Sequence, residues 1–197
     1  MAFELRGIQV GGAGRTVETY GAYVGGYIKP SNHNQNRRDR RLVKIQNSKR
    51  RVVVIVRKRG GRALPPVFKS EGQATAWIKS RVSADTAIIA AEVPSWNELH
   101  GRFKFSRIDH SLLYTTGTGG YTNGAENFFS RIRRAEVGRH HHIAGVYLIR
   151  YVQAPAWRED HRRMDDGRQV QAVSGLAKTA PTSVDWWEYG QQSQKAM

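Results

Sequence analysis

A chain of 197 residues, 39% hydrophobic and 24% charged, has room for one domain with a real core, and its composition is that of a globular protein. It contains no cysteine, which excludes disulfides and Cys-based zinc sites. Lys and Arg number 32 against 16 Asp and Glu, and a net charge of +16 makes a polyanion the natural partner, because neutralised phosphates release counterions.

Met1 to Val10 lacks the basic-then-apolar order of a signal peptide, and no apolar run approaches the roughly 18 residues of a membrane span. No membrane association is expected, and the default setting is cytoplasmic. Residues 1–15, with Gly11-Gly12, read as a flexible lead-in. Val17 to Pro30 (VETYGAYVGGYIKP) begins as a strand, with a turn at Gly25-Gly26. From Lys29 to Arg62 there are 13 Lys or Arg and a single acid, Asp39, so most of the excess charge sits there. Its first part, Pro30 to Arg41, is rich in Asn and Arg and reads as an exposed loop. Like charges this dense repel one another unless something neutralises them. The window reads as a phosphate-tracking arm, with Arg37, Arg38, Arg40, Arg41, Lys49 and Arg50 as contacts; a solvated loop is the alternative.

Arg51 to Arg57 is a β-branched run with charged ends, which predicts a buried strand. After a turn at Gly60-Gly61, Ala63 to Phe68 is expected to pair back, at an edge because of Pro65 and Pro66. Ala74, Trp77, Ile78 and Val82 have helical spacing within Gln73 to Val82. Thr86 to Ala91 predicts another buried strand, Ser95 to Leu99 a short helix, and Phe103 to Ile108 a further strand. Leu112 to Tyr121 is a Gly/Thr-rich loop. Thr122 or Asn123 then caps a helix running to about Val137, with Phe128, Phe129 and Ile132 facing the core and Gly138 ending it. A second helix is expected from about Ile143 to Arg158, kinked or shortened by Pro155. A last helical stretch, Gln169 to Lys178, precedes Trp186-Trp187. The two tryptophans are expected to pack the tail against the core. The order of elements is that of a mixed α/β domain.

The most specific segment runs from Tyr121 to Asp160. Thr122, Asn123, Glu126, Phe128, Ser130, Arg133, Arg134, Gly138, His141 and His142 stand there in the order found in insertion-sequence transposases of the DDE class, ISXO-like branch. Val17 to Pro30 resembles that family's first-strand motif, and Arg107 to Ser111 its Asn-His-Ser step, with Asp109 in the Asn place. The likeness covers about Thr16 to Arg163. It implies a ribonuclease-H-like mixed sheet flanked by helices over residues 16–163, followed by a helical tail over 164–197. It also implies DNA strand cleavage and transfer through two Mg²⁺ or Mn²⁺ ions held by converging carboxylates.

Here the chain departs from the pattern. The family's first-strand Asp falls on Tyr20 and its fourth-strand Asp on Ala91, which leaves Glu126 as the remnant of the three acids. A phenol is protonated at neutral pH and an alanine offers no ligand. Glu18 and Glu92 are the nearby acids. Glu18 shares the strand face of Tyr20, but Glu92 is one residue out of step and turns to the other face. Rescue by these two is not expected. Glu126 then reads as a helix N-terminal acid favoured by the helix dipole. Consecutive His140, His141 and His142 cannot all converge on one ion, so no metal site is expected. Candidate nucleic-acid contacts are Arg37, Arg38, Arg40, Arg41, Lys49, Arg50, Asn123, Arg131, Arg133, Arg134, His141 and His142.

Full family members usually carry a Cys-based zinc ribbon ahead of the first strand, so recognition of transposon ends is not expected of this chain. The expected function is a transposase-derived binder of DNA, with RNA as an alternative partner, that has lost strand-transfer chemistry and needs no cofactor. It would act alone, as a homo-oligomer or paired with an intact transposase. The alternatives are an active transposase with a rearranged carboxylate set and a decayed fragment with no selected role.

Overall fold

The computed structural model describes residues 7–25, 33–36, 50–91, 94–108, 121–140, 143, 145 and 147–180. Six strands form one sheet: β1 (Thr16–Val24), β2 (Arg51–Lys58), β3 (Ala63–Leu64), β4 (Val67–Phe68), β5 (Ala87–Ala91) and β6 (Lys104–Ile108). The strand order is β3-β2-β1-β5-β6, with β4 also on β2. β2 runs antiparallel to β1, β3 and β4, whereas β5 is parallel to β1 and β6 is parallel to β5.

β2 explains the layering. Its Val52, Val53, Val54, Ile55 and Val56 are all buried, with no polar alternation, so both faces of the sheet are covered. Val52, Val54 and Val56 join Val17, Ile88 and Ala90 under Ala74 and Ile78 of helix α1 (Gly72–Arg81). Trp96 and Leu99, from the 3₁₀ turn Pro94–Leu99, complete that layer. On the other face, Val53, Ile55, Ala22 and Val24 meet two helices, α2 (Asn123–Ala135) and α3 (Leu148–His161). Phe128, Phe129 and Ile132 of α2 and Leu148, Val152 and Ala156 of α3 fill this second core. The result is a mixed sheet flanked by helices on both faces, the α/β arrangement of the ribonuclease-H-like fold.

Several boundaries differ from those expected. The strand predicted over Ala63 to Phe68 is split into β3 and β4 around Pro65-Pro66. Proline cannot donate to a ladder, but its carbonyl still can accept, and Val54 N donates to Pro66 O at 3.0 Å. Gly138 does not end α2 abruptly, because the chain passes through it in a π turn, Glu136–His140. α3 begins at Leu148 rather than near Ile143, and it passes through Pro155 to end at His161. Buried Val152, Ala156 and Trp157 on either side of Pro155 hold that helix against the sheet. The lead-in expected over 1–15 is anchored at Val10, which is buried and bridged to Val82. Gly12 N donates to Thr86 Oγ1 at 2.9 Å beside it. A Cβ on Gly11 would lie 2.1 Å from the same oxygen, and Gly11 has φ +96°, so glycine is required there twice over.

Helix α4 (Asp166–Thr179) is capped by Asp165, whose Oδ1 accepts from Arg168 N at 2.9 Å, and none of its residues is buried. Among the described residues, no helix is long and apolar enough to cross a membrane. Trp186 and Trp187 lie outside the described residues.

Candidate functional site

The parallel β1–β5 ladder brings Tyr20 and Ala91 together. Thr19 pairs with Ala90, so one residue further Tyr20 and Ala91 stand side by side, where β5 ends. Both belong to the face covered by α2, because side chains alternate and Ala22 and Val24 of β1 pack there. The Tyr20 ring meets the Phe129 ring of α2 at a centroid distance of 5.5 Å. Glu126 lies in the first turn of α2, half-buried, with its Oε1 accepting from Thr122 Oγ1 at 3.2 Å. Tyr20 and Ala91 therefore bring a phenol and a methyl group to this face. Magnesium wants several hard oxygens at close to octahedral geometry, and this donor set does not supply them. Among the described residues, no group of three or more His, Asp or Glu is gathered where it could hold an ion.

Glu18 is the acid nearest to Tyr20 along the same face. It is 2% exposed, and its two oxygens are engaged in the fold. Oε1 accepts from Arg59 Nε at 3.2 Å, and Oε2 accepts from the backbone N of Ala125 at 3.1 Å. That amide belongs to the first turn of α2, so a strand carboxylate caps a helix far away in sequence. Thr122, the residue before the helix, makes no side-chain cap. The close approach depends on Gly124, where a Cβ would lie 2.7 Å from Glu18 Oε2. Arg59 also donates to Tyr121 O at 3.0 Å and stacks 3.7 Å from the Tyr121 ring centroid. Arg57, its alternate neighbour, donates to Gly124 O at 2.9 Å. Two arginines of the β2 end and one glutamate of β1 thus hold the start of α2.

A further half-buried acid, Glu71, lies close to Gly21, where a Cβ would be 2.8 Å from its Oε1. Burial holds its carboxyl above the usual range. Gly21 is the strand neighbour of Tyr20 and faces the opposite side of the sheet, so Glu71 is not part of the region under α2.

The candidate nucleic-acid contacts separate. Arg133 and Arg134 are exposed near the end of α2, and Asn123 is exposed at its start. Arg131 is half-buried and paired with Glu159 of α3. Arg50 lies over the Tyr23 ring at 5.7 Å. Arg37, Arg38, Arg40, Arg41, Lys49, His141, His142 and Glu92 lie outside the described residues.

Sequence reasoning missed Glu159. Its side chain is 3% exposed and surrounded by guanidinium groups, with Arg57 Nη2 at 2.8 Å, Arg162 Nη1 at 2.9 Å, and Arg131. Arg131 lies on α2 and Arg57 on β2, so only the pairing with Arg162, three residues beyond Glu159, is local. The adjacent Asp160 accepts from Ala63 N at 3.0 Å and ties α3 to β3.

No curated protein and no solved structure matches the chain. The family model described as the ISXO2-like transposase domain matches residues 10–160, from the buried Val10 to Asp160 near the end of α3, and the chain belongs to that family.

Proposed function

We propose that this chain is a transposase-derived nucleic-acid-binding protein without metal-dependent strand cleavage. The observation that carries the reading is the side-by-side placement of Tyr20 and Ala91 under α2. Tyr20 and Ala91 stand where the family resemblance expects two of the carboxylates, and neither a phenol nor a methyl group binds magnesium. The commitment of Glu18 to Arg59 and Ala125 supports the same reading, since moving it toward an ion would uncap α2. Catalytic groups must be placed to within about an ångström, which leaves little scope for a neighbour one position away. The net charge of +16 and the arginines of α2 support DNA as the partner, with RNA as the alternative.

The test is incubation of the protein with supercoiled plasmid and Mg²⁺ or Mn²⁺, beside Glu126→Gln and the double variant Tyr20→Asp/Ala91→Asp. The expected outcome is no nicking by the unaltered protein and metal-dependent nicking by the double variant. Nicking by the unaltered protein that disappears in Glu126→Gln overturns the reading and makes the chain an active transposase.

A further inference from the structure

The Glu159 cluster has more positive charge than its acid can neutralise. Arg57, Arg131 and Arg162 all reach the one carboxylate. Arg134, exposed on α2 three residues beyond Arg131, is its neighbour on the helix surface; burial first, then the charges of Arg162, Arg57 and Arg134, oppose the charge on Arg131. Three guanidinium groups therefore share the Glu159 carboxylate, and Arg57 also acts on the neighbouring Asp160. The cluster is also graded from inside to outside. The side chain of Arg57 is 14% exposed, that of Arg131 36% and that of Arg162 48%. The inner pair fixes the geometry, and the outer groups keep donors facing solvent. A guanidinium carries five N–H donors, so one bond to Glu159 leaves others able to donate to an anion. Arginine forks match tetrahedral oxyanions well and hold them with charge-assisted bonds.

We propose that Arg131, Arg134 and Arg162 form a phosphate seat on the shoulder between α2 and α3, with Glu159 and Arg57 as its fixed base. The seat lies toward β2, whereas Tyr20 and Ala91 lie on β1 and β5, so it is distinct from the carboxylate positions. It deepens the nucleic-acid reading above and rests on it for the identity of the ligand as a backbone phosphodiester. Glu159 sets the specificity by charge: it holds the arginines oriented and leaves the cluster net positive.

The experiment measures the thermal midpoint of the full chain in inorganic phosphate against sodium chloride of equal ionic strength. It compares the unaltered protein, the double variant Arg134→Gln/Arg162→Gln, and Arg168→Gln on exposed α4. The double variant leaves the inner Arg57–Glu159 pair intact. Phosphate is expected to raise the midpoint of the unaltered protein and of Arg168→Gln. Loss of two charge-assisted bonds should weaken phosphate binding by the double variant about tenfold or more. An equal phosphate effect in all three proteins overturns the seat. A DNA duplex titrated against the same proteins separates the two claims. Phosphate stabilisation without DNA binding keeps the seat and removes the nucleic-acid reading. DNA binding with no phosphate effect that depends on Arg134 and Arg162 does the reverse.

Discussion

At the scale of the residue, burial changes what single acids do. Asp160 is partly enclosed between α3 and β3, and burial raises its pKa from 3.8 to about 6. The Ala63 N–H, Arg62, His161 and Arg57 pull in the other direction and only offset part of that rise. The folded state therefore holds this proton more tightly than the unfolded chain. Its contribution to stability is fully present below about pH 4 and is lost as pH rises through about 6. Asp160→Asn keeps an oxygen for the Ala63 amide and removes the titration. Urea midpoints measured between pH 4 and pH 7 should fall more for the unaltered protein than for Asp160→Asn. Parallel pH profiles of the two would show that Asp160 is not the source of the slope.

At the scale of the element, α2 is held by partners from other elements more than by its own residues. Its apolar stripe, Ala125, Phe128, Phe129 and Ile132, is placed against the sheet at helical spacing. Its start is held by Glu18, Arg59 and Arg57, which come from two strands. Glu18→Ala removes the acceptor of the Ala125 amide and leaves Arg59 without its carboxylate partner at 3.2 Å. A cost of about 2–4 kcal/mol is expected, from a lost cap plus a broken buried pair. Chemical denaturation measures it directly. A change below about 0.5 kcal/mol, the range of ordinary surface substitutions, would show that α2 does not depend on this cap.

At the scale of the whole molecule, the net charge of +16 is a property no single element carries. Mutual repulsion among the basic residues opposes the compact state, and a polyanion relieves it. DNA affinity should consequently fall steeply with salt, by roughly a thousandfold between about 50 and 200 mM if some six phosphates are contacted. A fluorescence titration across that range checks it, and an affinity that does not change with salt would rule out phosphate contacts as the source of binding. The fold meets the requirement for such a surface, because its two cores are internal to the sheet faces while Arg133, Arg134 and Arg162 remain at the surface of α2 and just beyond α3.

The sequence by itself determined the central strand of the sheet, the apolar face of α2 and the family. These are legible because a run such as Val52 to Val56, or apolar residues three and four apart, states its environment locally. The spaced residues of Tyr121 to Asp160 likewise carry their order along the chain. The same order is what leads the sequence to be read with Tyr20 and Ala91 at positions where the family resemblance expects carboxylates. Only the tertiary structure decided that these two stand side by side, because their adjacency is a register between strands some seventy residues apart. It alone assigned Glu18 to the cap of α2, 107 residues away, and gathered Arg57, Arg131 and Arg162 around Glu159. A charged residue reads as a surface residue in sequence, since nothing nearby records what will enclose it. Burial and pairing of such groups are settled by long-range packing, and in this chain that packing sets both the adjacency of Tyr20 and Ala91 and the arginine cluster.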